Sequence, residues 1–173
     1  MTNRHEDAMV QGSWYEASVT REPDDPVLTG EASADVCIVG AGYAGLSAAL
    51  ELRRRGLSVI VLEAHRPGWG ASGRNGGQVL AGYANDEEMV RQLGAERARA
   101  AWDLSVEGID LLRRRIEEHH IDCEFVPGYL HAATSPRKAA ELGRWVDRLR
   151  RDFAYESVSM VEAAATRQWI DSP

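Results

Sequence analysis

The fold is decided by residues 35–45, which read Asp35-Val36-Cys37-Ile38-Val39-Gly40-Ala41-Gly42-Tyr43-Ala44-Gly45. The first half of this stretch is short, β-branched and apolar, as in a parallel strand that is covered on both faces. Three glycines follow in the spacing G-x-G-x-x-G, where the strand gives way to a predicted helix. The stretch therefore predicts the opening of a dinucleotide-binding βαβ unit.

The next thirty residues supply the rest of that unit. Residues 45–55 have helical character, and Gly56 is a suitable C-terminal stop. Ser58 to Glu63 then forms a second buried apolar run. Strand, helix and strand predict one right-handed βαβ crossover and place the chain in the α/β class.

Each glycine of the fingerprint has its own physical duty. Gly40 makes the tight turn off the strand, Gly42 lets the backbone reach a pyrophosphate, and Gly45 lets the helix pack against the strand. The phosphates then lie at the helix N-terminus, where unpaired N–H groups favour anions. Glu63 ends the second strand eighteen residues after Gly45, where a carboxylate can accept hydrogen bonds from both adenosine ribose hydroxyls.

The glycine pattern by itself is weak evidence, since small residues follow strands for steric reasons in many folds. Its setting between two strands, with an acid at the end of the second, makes dinucleotide binding the favoured interpretation. The βαβ unit is shared by NAD and FAD enzymes, so it leaves the choice between them open. The cofactor contacts predicted from this part are Gly40, Ala41, Gly42, Tyr43, Ala44, Gly45, Glu63 and Ala64.

A second glycine-rich segment follows, with six glycines in residues 67–82. Its centre reads Gly68-Trp69-Gly70-Ala71-Ser72-Gly73-Arg74-Asn75-Gly76-Gly77-Gln78. This sequence resembles the second flavin-contacting segment of the D-amino-acid oxidase-like superfamily. Together with Ser13-Trp14-Tyr15 near the start of the chain, it more narrowly resembles the gamma-glutamylputrescine oxidoreductase family. The resemblance spans essentially the whole chain, although its specific motifs occupy only residues 35–78.

The resemblance implies FAD as the cofactor and adds a second set of contacts to it. In physical terms, glycine backbone can pass close beneath a flavin, and Arg74 can neutralise diphosphate charge. Ser72 and Asn75 offer short hydrogen-bonding groups, and Gly76, Gly77 and Gln78 would lie beside the isoalloxazine ring. The implied contacts are Ser72, Gly73, Arg74, Asn75, Gly76, Gly77 and Gln78, while no catalytic residue is assigned.

The chemistry implied by the resemblance is oxidation of a C–N bond in an amine or amino acid, with hydride passing to FAD and oxygen giving hydrogen peroxide. The substrate would resemble gamma-glutamylputrescine. Two alternatives stay open: an NAD-dependent dehydrogenase, and a fragment that binds a dinucleotide without catalysis. Family chains usually run to more than twice this length, so we expect a truncated or partial product that exposes the edge and face of its sheet.

Charge and composition limit the partners. The net charge is −7 and the pI is near 5.3, so nucleic acid or an anionic membrane surface would be repelled. The sequence shows neither a secretory signal nor a membrane-spanning run, and two cysteines make a disulfide scaffold improbable, which favours the cytoplasm. His119, His120 and Cys123 match no recognised zinc spacing, so no metal is expected.

The remaining chain predicts further elements around the βαβ unit. Residues 1–34 are acidic and polar and predict an extended arm, which Trp14 and Tyr15 would pin onto a domain formed by residues 35–173. Beyond residue 84 we expect helices over 85–119, broken at Gly94, and over 136–153. Two short strands within 123–134, a strand over 157–160 and a helix over 161–170 complete the expected Rossmann-like, incomplete fold.

Overall fold

The computed structural model describes residues 13–20 and 25–170. It divides the chain into two compact units, an N-terminal unit (Met1–Gln78) and a C-terminal unit (Val79–Pro173). In the described part of the chain, no helix has the length and apolar character needed to cross a membrane. The predicted boundary at residue 34 between arm and domain stays a prediction.

The N-terminal unit contains the predicted βαβ crossover. Strands β1 and β2 pair in parallel, with register running from Val36 opposite Val59 to Val39 opposite Leu62. The helix between them ends in basic residues, which suit a helix C-terminus. Its elements are helix α1 (Trp14–Ser18), strand β1 (Val36–Val39), helix α2 (Tyr43–Arg54), strand β2 (Val59–Leu62) and a short 3-10 helix (Ala71–Gly73).

The register of the two strands is fixed at their N-terminal ends by Asp35 and Ser58. The Asp35 carboxylate accepts from the Ser58 N–H at 2.8 Å and from its hydroxyl at 2.6 Å, while the Asp35 N–H donates to Ser58 Oγ at 2.9 Å. The Ser58 hydroxyl and N–H hold the pKa of Asp35 below its ordinary value. This reciprocal clip aligns the strands before the glycine turn is reached.

The two-stranded sheet leaves apolar surface open to solvent. Val39 is 86% exposed and Cys37 is also exposed, while Val36 and Ile38 on the alternate face are partly covered. The alternation shows that β1 is covered on one face within the described residues, whereas its composition is that of a strand covered on both. The expected exposure of sheet surface is therefore present.

The C-terminal unit is built from helices. Helices α4 and α5 supply its buried centre, in which Trp102 stacks on Phe153 with ring centroids 4.5 Å apart and Tyr155 meets Trp102 edge-on at 5.3 Å. Ala98 and Leu149 complete this cluster. The helices are α3 (Asp86–Leu93), α4 (Ala95–Glu118), α5 (Pro136–Phe153) and α6 (Ala163–Thr166).

The helices predicted over 85–119 and 136–153 are confirmed in type and boundaries. Gly94 has φ +76°, ends α3 and precedes α4, so it is the predicted break. Ser135 caps α5 by accepting from the Lys138 N–H at 3.3 Å, with Pro136 at the first helical position. The predicted inward faces of both long helices are buried or partly buried.

The predicted strands after residue 120 are wrong. Residues 123–134 and 157–160 form no strand in the described structure. Val126 is 78% exposed and Tyr129 is 57% exposed. Residues 123–134 are rich in β-forming side chains, but within the described structure they pair with no other strand and these two side chains do not pack against a core. The strand propensity of a residue reflects how well its side chain packs in a paired, half-buried strand more than an intrinsic backbone preference. A segment with high propensity therefore forms no strand when no other strand pairs with it.

Two smaller expectations also need correction. The helix predicted over 161–170 is limited to α6, and turns follow it. Of the predicted arm, residues 1–12 and 21–24 lie outside the described residues. Trp14 is 79% exposed and so does not pin the arm, whereas Tyr15 is partly buried against Gly77.

The helical core makes a stability prediction. Phe153→Ala removes the ring that stacks on Trp102, and we expect a loss of about 3–5 kcal/mol in the free energy of unfolding of the C-terminal unit. Leu104→Ala is the control on α4, because Leu104 is 63% exposed and its loss should stay within about 0.5 kcal/mol. Urea unfolding followed by far-UV circular dichroism measures both, and equal losses would contradict the assigned core.

Candidate cofactor-binding site

The turn after β1 is tight enough to require glycine at both ends. Gly40 has φ +99°, and its N–H donates to the Leu62 carbonyl at 2.7 Å, which continues the ladder into the turn. A Cβ on Gly45 would overlap the Gly40 carbonyl oxygen. The first helical turn can pack this closely on the strand only because residue 45 has no side chain.

The N-terminus of α2 opens beside this turn. Its N-cap is Gly42, which has no capping side chain of its own, so the first N–H groups of the helix lack an intrahelical acceptor. Ser72, from the second glycine-rich segment, supplies one acceptor: its Oγ receives the Tyr43 N–H at 3.1 Å. A Cβ on Gly42 would lie only 3.0 Å from that oxygen. Oxygen acceptors thus fit this position, as a phosphate would.

The Glu63 carboxylate lies at the same turn. Its Oε2 accepts from the Ala41 N–H at 2.7 Å, and its Oε1 accepts from the His65 N–H at 3.1 Å. The Ala41 N–H, with smaller help from the N–H groups of His65 and Ala64, holds the pKa of Glu63 below its ordinary value. A charged carboxylate is therefore fixed at the C-terminal end of β2, next to the glycine turn.

The second glycine-rich segment is tied to the first by three contacts. The Gly68 N–H donates to the Ala41 carbonyl at 2.9 Å, beside the contact already made by Ser72. The Asn75 side-chain amide donates to the Tyr43 hydroxyl at 2.8 Å, and its oxygen accepts from the Gly77 N–H at 2.8 Å. The two segments, whose contacting residues Tyr43 and Asn75 are 32 residues apart in sequence, thus form one continuous surface around the start of α2.

Arg74, which the sequence assigns to the cofactor diphosphate, contacts Trp69 of its own segment. Its guanidinium lies over the Trp69 ring, 5.0 Å from the centroid, and its Nε donates to the Trp69 carbonyl at 3.3 Å. Trp69 also stacks on His65 at 3.9 Å. His65 is exposed, as predicted for a loop histidine. The charge of Arg74 is thus held on its own loop by cation–π and hydrogen-bond contacts.

The structure joins five of the predicted contact residues directly. Ala41, Tyr43, Glu63, Ser72 and Asn75 are joined by the hydrogen bonds given above. The sequence reasoning did not include Gly68 among the cofactor contacts, although its N–H donates to the glycine turn, and the available signal was a glycine five residues after Glu63. The remaining predicted contacts lie on the same two segments or, for Ala64, directly after Glu63: Gly40, Gly42, Ala44, Gly45, Ala64, Gly73, Arg74, Gly76, Gly77 and Gln78.

These features define a class of protein: a βαβ unit whose glycine turn, open helix N-terminus and strand-end carboxylate have the arrangement of an adenine-dinucleotide site. Residues 35–171 match the family described as FAD dependent oxidoreductase. The chain belongs to this family. FAD is the family's cofactor, which decides between the two dinucleotides that the βαβ unit left open.

Named relatives agree with that assignment. The chain is 38% identical to a probable oxidoreductase OrdL of Haemophilus influenzae, over 92% of this chain and 37% of the relative. It is 37% identical to gamma-glutamylputrescine oxidoreductase of Escherichia coli, over 92% of this chain and 38% of the relative. The chain thus spans little more than a third of the length of these relatives. No solved structure matches it.

The lowered pKa of Glu63 makes a prediction about pH. A carboxylate whose pKa is lower in the folded state stabilises the fold above its ordinary pKa, and this contribution is lost as pH falls through the folded pKa. Glu63→Gln should therefore reduce the stability of the N-terminal unit at pH 7, and the difference from wild type should shrink as pH is lowered through the acid range.

The measurement is urea unfolding at pH values from neutral to about 3, the region in which carboxylates titrate. Asp35 and Glu51 also have lowered pKa values, so the wild-type profile alone does not isolate Glu63. The difference between wild type and Glu63→Gln does isolate it. A difference independent of pH would contradict the charged hydrogen bond to Ala41.

Proposed function

We propose that this chain is the FAD-binding portion of a flavin-dependent oxidoreductase that oxidises a C–N bond of an amine or amino acid. The observation that carries the proposal is the joint arrangement of Glu63 and Ser72 around the N-terminus of α2, in a chain of the FAD dependent oxidoreductase family. A gamma-glutamylputrescine-like substrate is supported by the similarity to gamma-glutamylputrescine oxidoreductase of Escherichia coli, at 37% identity. The expected cytoplasmic setting is part of the same proposal.

In this proposal the N-terminus of α2 holds the diphosphate. The helix dipole and the first N–H groups favour an anion there, and the N-cap Gly42 contributes no capping side chain of its own. The Ser72 hydroxyl, which now accepts from the Tyr43 N–H, can rotate and donate to a phosphate oxygen. Arg74 would add positive charge after leaving Trp69.

Glu63 is assigned to the adenosine ribose. Its lone-pair sites are used by the N–H groups of Ala41, His65 and Ala64, and a carboxylate has about four such sites, so it can still accept from a ribose hydroxyl. Its charge disfavours a 2′-phosphate at the same place. The carboxylate is already oriented before the ligand arrives, which lowers the entropic cost of binding.

Bound FAD would supply acceptance of hydride from the carbon bearing the amine; the imine would hydrolyse, and oxygen would take up the electrons as hydrogen peroxide. The protein residues contribute position and electrostatics. Gly76, Gly77 and Gln78 are assigned to the flavin-ring side, where the two glycines have no side chain and so permit close approach.

FAD binding is the first test. We expect flavin fluorescence to be quenched on titration into the purified chain, and Glu63→Gln to weaken FAD at least about tenfold, because hydrogen bonds to a charged group contribute about 1.5–3 kcal/mol. Glu31→Gln is the matched control, since Glu31 is exposed and lies in the same unit. NAD binding without FAD binding would contradict the proposal.

The substrate assignment has its own test in the FAD-loaded protein. Under anaerobic conditions gamma-glutamylputrescine should bleach the flavin absorbance, and admission of air should restore it with release of hydrogen peroxide. The control compound is the analogue with a hydroxyl group in place of the amine. Bound flavin that no amine reduces would instead indicate a dinucleotide-binding portion without catalysis.

A further inference from the structure

Helix α1 presents two neighbouring side chains to the glycine-rich segment. Ser13 starts the helix by accepting from the Glu16 N–H at 3.2 Å. Tyr15 and Glu16 are partly buried, whereas Trp14 is 79% exposed. The helix therefore contacts the rest of the N-terminal unit through one side only, and its most apolar residue is not part of that side.

The Tyr15 hydroxyl lies directly against Gly77. A Cβ at residue 77 would overlap that oxygen, and Gly77 has φ +70°, a conformation that side-chain-bearing residues rarely adopt. Two independent reasons thus require glycine here: the backbone conformation and the space taken by Tyr15. Asn75 joins the same backbone to the start of α2, since it contacts both the Gly77 N–H and the Tyr43 hydroxyl.

A second contact of α1 lies one residue further along. Glu16 Oε1 and an Arg66 guanidinium nitrogen are 3.0 Å apart, with side chains 22% and 37% exposed. The Nε of Arg66 is buried and has no hydrogen-bond partner among the described residues, so this guanidinium has already lost part of its hydration. Partial burial strengthens an ion pair relative to a fully exposed one. We call the Tyr15–Gly77 contact and the Glu16–Arg66 pair together the α1 clasp.

We infer that the α1 clasp is part of the cofactor site, with Tyr15 as a positioning residue that holds the Gly77 backbone in its left-handed conformation. In the sequence, Arg66 lies between Glu63, which is assigned to the ribose, and the second glycine-rich segment. The α1 clasp therefore contacts the chain both before that segment, at Arg66, and near its end, at Gly77. This inference rests on the proposed function, because Gly76, Gly77 and Gln78 are assigned there to the flavin ring. The inference assigns helix α1 a positioning role in the cofactor site.

The clasp can be tested first without FAD. Millisecond hydrogen exchange of the whole chain should show loss of protection at residues 76–78 in Tyr15→Ala, because the Gly77 N–H bond to Asn75 is then less well held. Tyr15→Phe, which removes only the oxygen against Gly77, should show a smaller loss. Trp14→Phe is the matched control on the same helix and should leave exchange unchanged, since Trp14 is exposed.

The second measurement is FAD titration of the same variants, with the visible circular dichroism of bound flavin as a signature of ring position. We expect Tyr15→Ala and Glu16→Gln to weaken FAD several-fold and Tyr15→Ala to change the flavin dichroism, with Trp14→Phe like wild type. Tyr15→Phe should retain most of the wild-type affinity for FAD, because the phenyl ring still fills the space beside Gly77.

The outcomes separate the inference from the function on which it rests. Wild type that binds no FAD overturns the proposed function and with it the cofactor role of α1, while the exchange data still report the Tyr15 contact. Wild type that binds FAD, with Tyr15→Ala unchanged in affinity and dichroism, overturns the inference alone. Equal effects of Trp14→Phe and Tyr15→Ala would also overturn it, since they would indicate general loss of the helix.

Discussion

The hydrogen bond from the Ala41 N–H to the Glu63 carboxylate is the contact on which the rest of the candidate site depends. It joins the C-terminal ends of both parallel strands through a side chain, at the point where the backbone ladder stops. A backbone N–H in a glycine turn has few other acceptors, and a carboxylate at a strand end gains from N–H donors. Its geometry therefore sets where the turn, the helix start and the acid lie relative to one another.

The second glycine-rich segment builds on that arrangement. Gly68 and Ser72 contact the turn and the helix start through one N–H group and one hydroxyl. Both contacts need close backbone approach, which explains why glycines surround them in sequence. The site is consequently made of polar backbone groups and short side chains. The larger charged group of Arg74 packs against the Trp69 ring. Such a surface suits a long, charged cofactor that lies along the backbone.

Prediction from sequence succeeded where local spacing fixes the outcome. Gly94 between two amphipathic patterns and Ser135-Pro136 before a third each have a local physical meaning, and each marks a helix boundary in the structure. It failed over 123–134 and 157–160, because a strand requires a partner from elsewhere in the chain. Trp14 and Tyr15 were treated alike, although only Tyr15 is placed against Gly77, and neighbouring residues on a helix face different directions.

The sequence by itself determined the βαβ crossover, the positions that must be glycine and the acid at the end of β2, because period, turn geometry and spacing are properties of short segments. The tertiary structure alone decided that Ser72 caps α2, that Gly68 and Asn75 join the two glycine-rich segments, and that Tyr15 lies on Gly77. These contacts join residues distant in sequence, and their geometry exists only after the strands have paired and the helix has packed on them.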